Sequence, residues 1–340
     1  MSRSEIEPLE LHLNVPFRIA HGTSTMRTNA LVSLGGSYGE AALPPYYPSS
    51  VDDIEAYVDS LNVDWLLAAP RHAIRQRIRK LPRGPMPALA AVDMALLDVW
   101  ARLFDSPLYA LLGLDVTATP LSMHSLPIPE SIEDHVQKLA SFSSSAMLKL
   151  KLGSGDLAFD LEIARATRAG FGGKICADAN GAWSIPAAID ILPKLFSHGF
   201  EFVEQPIAPE EIDDWHVLRR MTRKPLPLLL ADESVSTAED ILGLAGAADG
   251  VNLKLAKCGG IVRTLDLISL ARSLEMKVML GCMIESSLAL TAATHLAGLV
   301  DYVDLDAALY LKEDPFNGMQ FNNGRVTLPH RPGIGAIRIH

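Results

Sequence analysis

The runs KICADAN (174–180), FEFVEQP (200–206) and PLLLADES (227–234) each carry an apolar, strand-like stretch that ends on a carboxylate: Asp178, Glu204 and Asp232. These acids are 26 and 28 residues apart, the spacing of one strand plus one helix in a repeating βα unit. In a parallel barrel the C-terminal strand ends converge on one mouth, so acids at three consecutive strand ends face a common centre. Three hard oxygen donors there suit one octahedral Mg²⁺, with the remaining positions open to water and substrate.

Outward from these runs the same alternation continues. LSMHS (121–125), AMLKLKL (146–152), GVNLKLAK (250–257), KVMLGC (277–282) and YVDLDAA (302–308) complete eight candidate strands, and the intervening periodicity predicts helices over Leu157–Ala169, Pro186–His198 and Ile261–Ser273. Eight strands in about 190 residues is compact for a barrel usually near about 250, which predicts short loops and a missing last helix. The first 115 or so residues differ: hairpin strands over Leu9–Val15 and Ala30–Gly35, and helices over Val51–Leu61 and Met86–Leu112, read as an α+β unit. PPYYPSS (44–50) is a turn-rich loop. The C-terminal GRVTLPHRPGIGAIRIH (324–340) is too rich in Pro and Gly to fold alone. The expected organisation is therefore an α+β domain at 1–115, with 315–340 packing back on it, and an α/β barrel at 116–314.

Composition narrows the class. Of 340 residues 49% are hydrophobic, yet no apolar stretch reaches the roughly 20 residues needed to span a bilayer. No membrane association is expected, and MSRSEIEPLELHL lacks the features of a secretory signal, which makes a cytoplasmic location the expectation. A formal charge of −10 argues against a nucleic-acid partner. Cys176, Cys258 and Cys282 have no metal-ligand spacing and read as small buried hydrophobes in a reducing compartment.

Two lysine pairs complete the candidate chemistry. Lys149 and Lys151 stand at i and i+2, on one face and roughly 6–7 Å apart along the strand. At an effective dielectric near 20 that proximity costs about 2.5 kcal/mol when both are charged, which pushes one of them towards neutrality. In NLKLAKCGG (252–260), strand alternation puts Lys254 and Lys257 on opposite faces, with Lys254 inward. Lys151 and Lys254, from strands two and six of eight, then face one another across the barrel. That arrangement suits moving a proton at a carbon acid: the metal takes the substrate carboxylate, one lysine removes the α-proton, and the other returns a proton to the opposite face. Singly, an acid at a strand end can cap a helix and a lysine pair can be a solvated edge. Five such residues in barrel order make coincidence a poor explanation.

These residues resemble the enolase superfamily, muconate lactonizing subgroup, over nearly the whole chain. The run ALAAVDMALLDVWARLFDSPLYALLG (88–113) is similar to the subgroup's helical signature, and Lys149–Lys151 to its KxK pair. The resemblance implies a capping domain on a modified (β/α)7β TIM barrel. It also implies Asp178, Glu204 and Asp232 as Mg²⁺ ligands, Lys151 and Lys254 as opposed acid/base catalysts, Lys149 as an electrostatic helper, and a homo-oligomer. GCMIESS (281–287) also resembles the family and places Glu285 near the substrate or behind it. Asp304-Leu305-Asp306 resembles the dipeptide epimerases of the subgroup, of the L-Ala-D/L-Glu epimerase type. Two inward carboxylates can hold a dipeptide's free α-ammonium, its carboxylate lying at the metal and its C-terminal residue being inverted. Capping loops at 17–27 and 41–48 are expected to set the side-chain pocket: Leu43, Tyr46 and Tyr47 suggest an apolar wall, while Arg18, His21 and Arg27 suit an acidic side chain.

Two other readings compete. An o-succinylbenzoate synthase or muconate cycloisomerase of the same superfamily would act on substrates without an ammonium. A metal-dependent hydrolase would normally bring histidine ligands, and the sequence holds no HxH or HExxH.

Overall fold

The computed structural model describes residues 4–68 and 70–339. An antiparallel sheet of β1 (Ser4–Ile19), β2 (Gly22–Leu34) and β3 (Ser37–Ala41) opens the chain. Its first two strands are longer than their apolar runs suggest: beyond a bulge between His12 and Phe17 they stay paired, Phe17–Ile19 lying against the polar start of β2 at Gly22–Ser24. The helix Val51–Asp59 starts at a capping box formed by Ser50 and Asp53. The single helix expected over Met86–Leu112 is two, Met86–Arg102 and Leu108–Leu112. Pro107 cannot continue the first and sits at the N-cap of the second, which ends at left-handed Gly113.

Eight parallel strands follow: β4 (His124–Leu126), β5 (Met147–Lys151), β6 (Lys174–Asp178), β7 (Phe200–Glu204), β8 (Leu228–Ala231), β9 (Gly250–Leu253), β10 (Lys277–Gly281) and β11 (Tyr302–Asp304). Each pairs with the next in sequence. β4 begins later than the run LSMHS implied, and the seam to β11 is a single bridge, Met123 N to Val303 O at 3.0 Å, rather than a full ladder. Among the described residues each of the seven intervals between consecutive strands holds a helix, from Ile132–Leu139 to Ser287–Thr294. The architecture is a (β/α)7β barrel carrying an α+β unit. No described helix is long and apolar enough to cross a membrane.

The barrel interior explains where chemistry can sit. Met123, Met147, Cys176, Phe202, Leu230 and Met279 form a buried apolar floor of their own. Because side chains repeat every second residue along a strand, the next inward positions after Met147, Cys176, Phe202 and Leu230 are Lys149, Asp178, Glu204 and Asp232. The polar layer therefore rests directly on the floor.

Buried hydrogen bonds lock the α+β unit onto the barrel mouth. Glu40 on β3 accepts from Ser286 N at 3.1 Å, and Asn29 on β2 donates to Ile284 O at 3.0 Å. Asp93, in the helix Met86–Arg102, accepts from Ile261 N at 2.8 Å and Val262 N at 3.1 Å, capping the helix Ile261–Ser273 from outside. Only glycine fits at Gly260: its φ is +103°, and a Cβ there would lie 2.5 Å from that of Asp93. At the far end Ile334 N donates to Asp98 at 2.7 Å, Phe316–Asn317 pairs with Ile337–Arg338, and Arg338 meets Glu7 at 2.6 Å.

Candidate active site

Strand register assembles the acidic centre. Lys151 pairs with Asp178, and Asp178 with Glu204, so one line of hydrogen-bonded neighbours carries all three side chains at the same height. Asp232 lies one residue beyond β8. Asp178, Glu204 and Asp232 are fully buried, and each offers an oxygen within 4.8 Å of the others. Among the described residues no other His, Cys, Asp or Glu group of three comes together in this way.

The charge balance shows why such a centre suits a cation. Burial raises Glu204 to about 8, and neighbouring Asp178 adds to the rise, although Lys149 opposes it. Burial works against ionisation of Asp178 too, but Lys151 and Lys149 outweigh it and hold it near 2. Glu204 Oε2 is 2.7 Å from Lys149 Nζ without hydrogen-bond alignment, and the side-chain oxygens of Asn180 and Asn252 have no partner. Three crowded carboxylates bordered by unpaired buried oxygens form a donor set that a hard divalent ion fits.

Four lysines surround this centre. Lys149, with a side chain 1% exposed, lies 2.7 Å from Glu204, 2.7 Å from Asp304 and 3.3 Å from Asp178. The expected repulsion from Lys151 does not govern Lys149. Burial disfavours its ammonium, but Asp304, Glu204 and Asp178 prevail and hold its pKa well above the ordinary lysine value. Lys151 Nζ is 2.5 Å from Asp178 Oδ2, and Lys254 Nζ is 2.6 Å from Asp232 Oδ2. The two amines thus approach the acid group from β5 and from the end of β9.

Lys257 corrects the alternation argument. β9 ends at Leu253, and Leu255–Cys258 is a helical turn with Lys254 at its N-cap, so three residues bring the chain back to the same side. Lys257 is buried and bonded to Asp232. The sequence signal for this turn was the Gly259-Gly260 pair, a helix stop close behind the strand.

Above the acid centre opens a concave cavity. Lys149, Lys151, Lys254, Asn180, Asp304 and Asp306 line its polar end. Asp304 accepts from Ser125 Oγ at 3.3 Å, and Asp306 from Ser125 N at 2.7 Å with Tyr310 OH 2.6 Å away. Burial and nearby Asp304 raise Asp306 to about 7. Phe17, Ile19, Pro44, Tyr46 and Met283 supply apolar wall, and Arg27 a cationic spot.

Both parts of the chain match known families. The enolase C-terminal domain-like family matches residues 132–337, and the mandelate racemase / muconate lactonizing enzyme N-terminal domain family matches residues 5–113. The chain belongs to the mandelate racemase / muconate lactonizing enzyme family. It is 35% identical to a hydrophobic dipeptide epimerase of Roseobacter litoralis, over 99% of each chain. The substrate-liganded L-Ala-D/L-Glu epimerase of Bacillus subtilis superposes with a TM-score of 0.89 at 30% identity, covering 99% of this chain and 98% of that one. The dipeptide epimerase of Cytophaga hutchinsonii, complexed with Mg and D-Ala-L-Val, gives 0.86 at 27%, covering 99% and 95%.

Not every candidate reaches the cavity of this family member. Arg18 is exposed and lies between Phe17 and Ile19, whose side chains face the cavity, so alternation turns it away. His21 is also exposed and sits behind Tyr46, ring centroids 4.7 Å apart. Glu285 is buried but not in the cavity wall. It accepts from Met283 N at 3.0 Å, and burial followed by the charge of Glu40 raises it to about 8. Tyr47 packs with Ala42, Ala256 and Met283. Cys176 and Cys258 are buried, whereas Cys282 is half-buried and lines the cavity, because β10 ends at Gly281 just before it. Ser125, Asn252 and Tyr310 are not singled out by the sequence. Asn252 could have been found by counting two residues back from Lys254.

Proposed function

We propose that this protein is a Mg²⁺-dependent dipeptide epimerase, inverting the α-carbon of the C-terminal residue by a two-base 1,1-proton transfer. The observation that carries this reading is one cavity lined by Lys151, Lys254, Asp304 and Asp306, with the two amines each bonded to an acid of the triad. Lyases of the same fold need no carboxylate pair for an ammonium, and a hydrolase has no use for two opposed amines.

Asp178, Glu204 and Asp232 would hold the ion. Bound there, Mg²⁺ would supply positive charge against the substrate carboxylate and against the negative charge left when the α-proton departs. Asp304 and Asp306 take the α-ammonium through charge-assisted hydrogen bonds, with Ser125 and Tyr310 fixing Asp306. This grip at one end of the dipeptide leaves the α-carbon of its last residue between the two lysines. One amine accepts the α-proton while the other donates to the opposite face, and the reverse direction exchanges their roles. Lys149, held by three carboxylates, is a fixed positive charge below the reacting carboxylate rather than a proton carrier.

The walls bear on side chains. Arg27 is half-buried, burial lowers its pKa, and no hydrogen bond or ion pair engages it among the described residues. An unpaired guanidinium beside apolar wall favours a dipeptide whose inverted residue is acidic, as in L-Ala-L-Glu. A library of L,L-dipeptides incubated with enzyme and Mg²⁺ in D₂O tests the reading. Loss of the C-terminal α-proton signal with appearance of the L,D epimer is the expected result, and absence of exchange across the library contradicts it.

A further inference from the structure

Lys257 is a buried cation that the proposed reaction leaves without a task. Its side chain is 2% exposed. Its ammonium reaches three oxygens: Asp232 Oδ1, the main-chain carbonyl of Asp232, and the carbonyl of Asn252 at 3.1 Å. Three donors meet three acceptors, which is what a buried ammonium requires.

The position of Lys257 in the chain matters as much as its contacts. The turn that bears it is closed on Lys254: Lys257 N and Cys258 N bond to Lys254 O at 3.0 and 2.9 Å. The opposite oxygen of Asp232, Oδ2, faces Lys254 Nζ at 2.6 Å. Asn252, whose carbonyl Lys257 also grips, donates its side-chain amide to Glu204 Oε1 at 2.8 Å. One side chain thus joins an acid of the triad, the strand end behind it and the turn that carries one of the two opposed amines.

We propose that Lys257 is a positioning residue that fixes the rotation of Asp232 and ties it to the Lys254 turn. Asp232 would then meet an ion in one fixed rotation, and Lys254 keeps its place on one face of the substrate α-carbon. The inference rests on the dipeptide epimerase reading for its second half only. Without the ammonium, Asp232 Oδ1 and two carbonyls lose their partner, and the carboxylate is free to turn. Partners placed behind metal ligands in this way typically change metal affinity by about 10–100-fold when removed.

Lys257→Met and Lys257→Arg test this, with folding checked by circular dichroism in EDTA. Two quantities are measured: Mg²⁺ affinity by isothermal titration calorimetry, and α-proton exchange in D₂O, at saturating Mg²⁺, of the L,L and L,D epimers separately. Lys254→Ala identifies the epimer whose proton Lys254 takes. Lys257→Met is expected to bind Mg²⁺ about 10–100-fold more weakly and to slow exchange of the Lys254-dependent epimer well beyond that of the other, with Lys257→Arg intermediate. A folded Lys257→Met with wild-type Mg²⁺ affinity, or with equal loss on both epimers, overturns the proposal. Should Lys257→Met fail to fold, Lys257→Arg carries both measurements, and wild-type values there overturn it equally. If the wild type exchanges no dipeptide, the epimerase reading falls, while the Mg²⁺ titration still decides whether Lys257 governs Asp232.

Discussion

Lys149 Nζ lies 2.7 Å from Asp304 Oδ2, so the carboxylate pair proposed to hold the substrate and the acid triad share one buried cation. Removing that cation leaves Asp178, Glu204 and Asp304 facing one another without it. Lys149→Met is expected to lower stability in EDTA by about 3–5 kcal/mol, the usual cost of stripping one partner from a buried ion pair. Urea unfolding measures the loss, and added Mg²⁺ should recover part of it by binding the folded state. Unchanged stability in EDTA would contradict the assignment.

Asp304→Asn combined with Asp306→Asn keeps the shape of the wall and removes its charge. Losing a buried charge partner costs about 2–5 kcal/mol, so kcat/KM for a dipeptide should fall by at least about 30-fold. An N-acetylated dipeptide offered to the wild type should show a comparable deficit. Equal turnover of free and acetylated substrates would mean that the pair does not read the ammonium.

Arg27→Met should change preference rather than chemistry. A hydrogen bond to a charged group contributes about 1.5–3 kcal/mol, so the ratio of kcat/KM for L-Ala-L-Glu over L-Ala-L-Leu should drop roughly 10- to 100-fold. The proton-exchange machinery is intact in this variant, and an unaltered ratio would remove Arg27 from the side-chain pocket.

His295 gives a pH prediction independent of the metal. It is buried, its Nδ1 accepts from Tyr109 N at 3.1 Å, and its Nε2 lies 2.9 Å from Ile334 O. Burial lowers its pKa to about 4. Below about pH 6.5 the unfolded chain binds a proton here that the folded chain refuses until about pH 4, so folding loses up to about 3 kcal/mol as pH falls through that window. Urea titrations near pH 7 and near pH 4.5 should show a larger loss for wild type than for His295→Gln. Equal losses would contradict the neutral assignment.

Much of this arrangement was legible because barrel strands carry a strict period of two. Each acid of the triad follows an apolar run at the inward phase, and the floor of Met147, Cys176, Phe202 and Leu230 makes that phase visible. The reading breaks where the chain leaves the strand. Lys257 lies in a helical turn rather than on an extended strand, and its role depends on Asp232, far away in sequence. Arg18 shows the opposite case: Phe17 and Ile19 on either side already signalled that it points away from the cavity. The break before Pro107 and the one-bond seam between Met123 and Val303 depend on packing between distant segments, which periodicity alone does not report.

The proposed two-base transfer puts one amine on each face of the α-carbon. The decisive measurement follows, in D₂O with Mg²⁺, the α-proton exchange of purified L,L and L,D dipeptide epimers by Lys151→Ala and Lys254→Ala. Each variant should lose epimerisation, and each should fail on a different epimer, because the proton on either face has its own base. Epimerisation surviving at the wild-type rate in either variant, or both variants failing on the same epimer alone, would contradict the account.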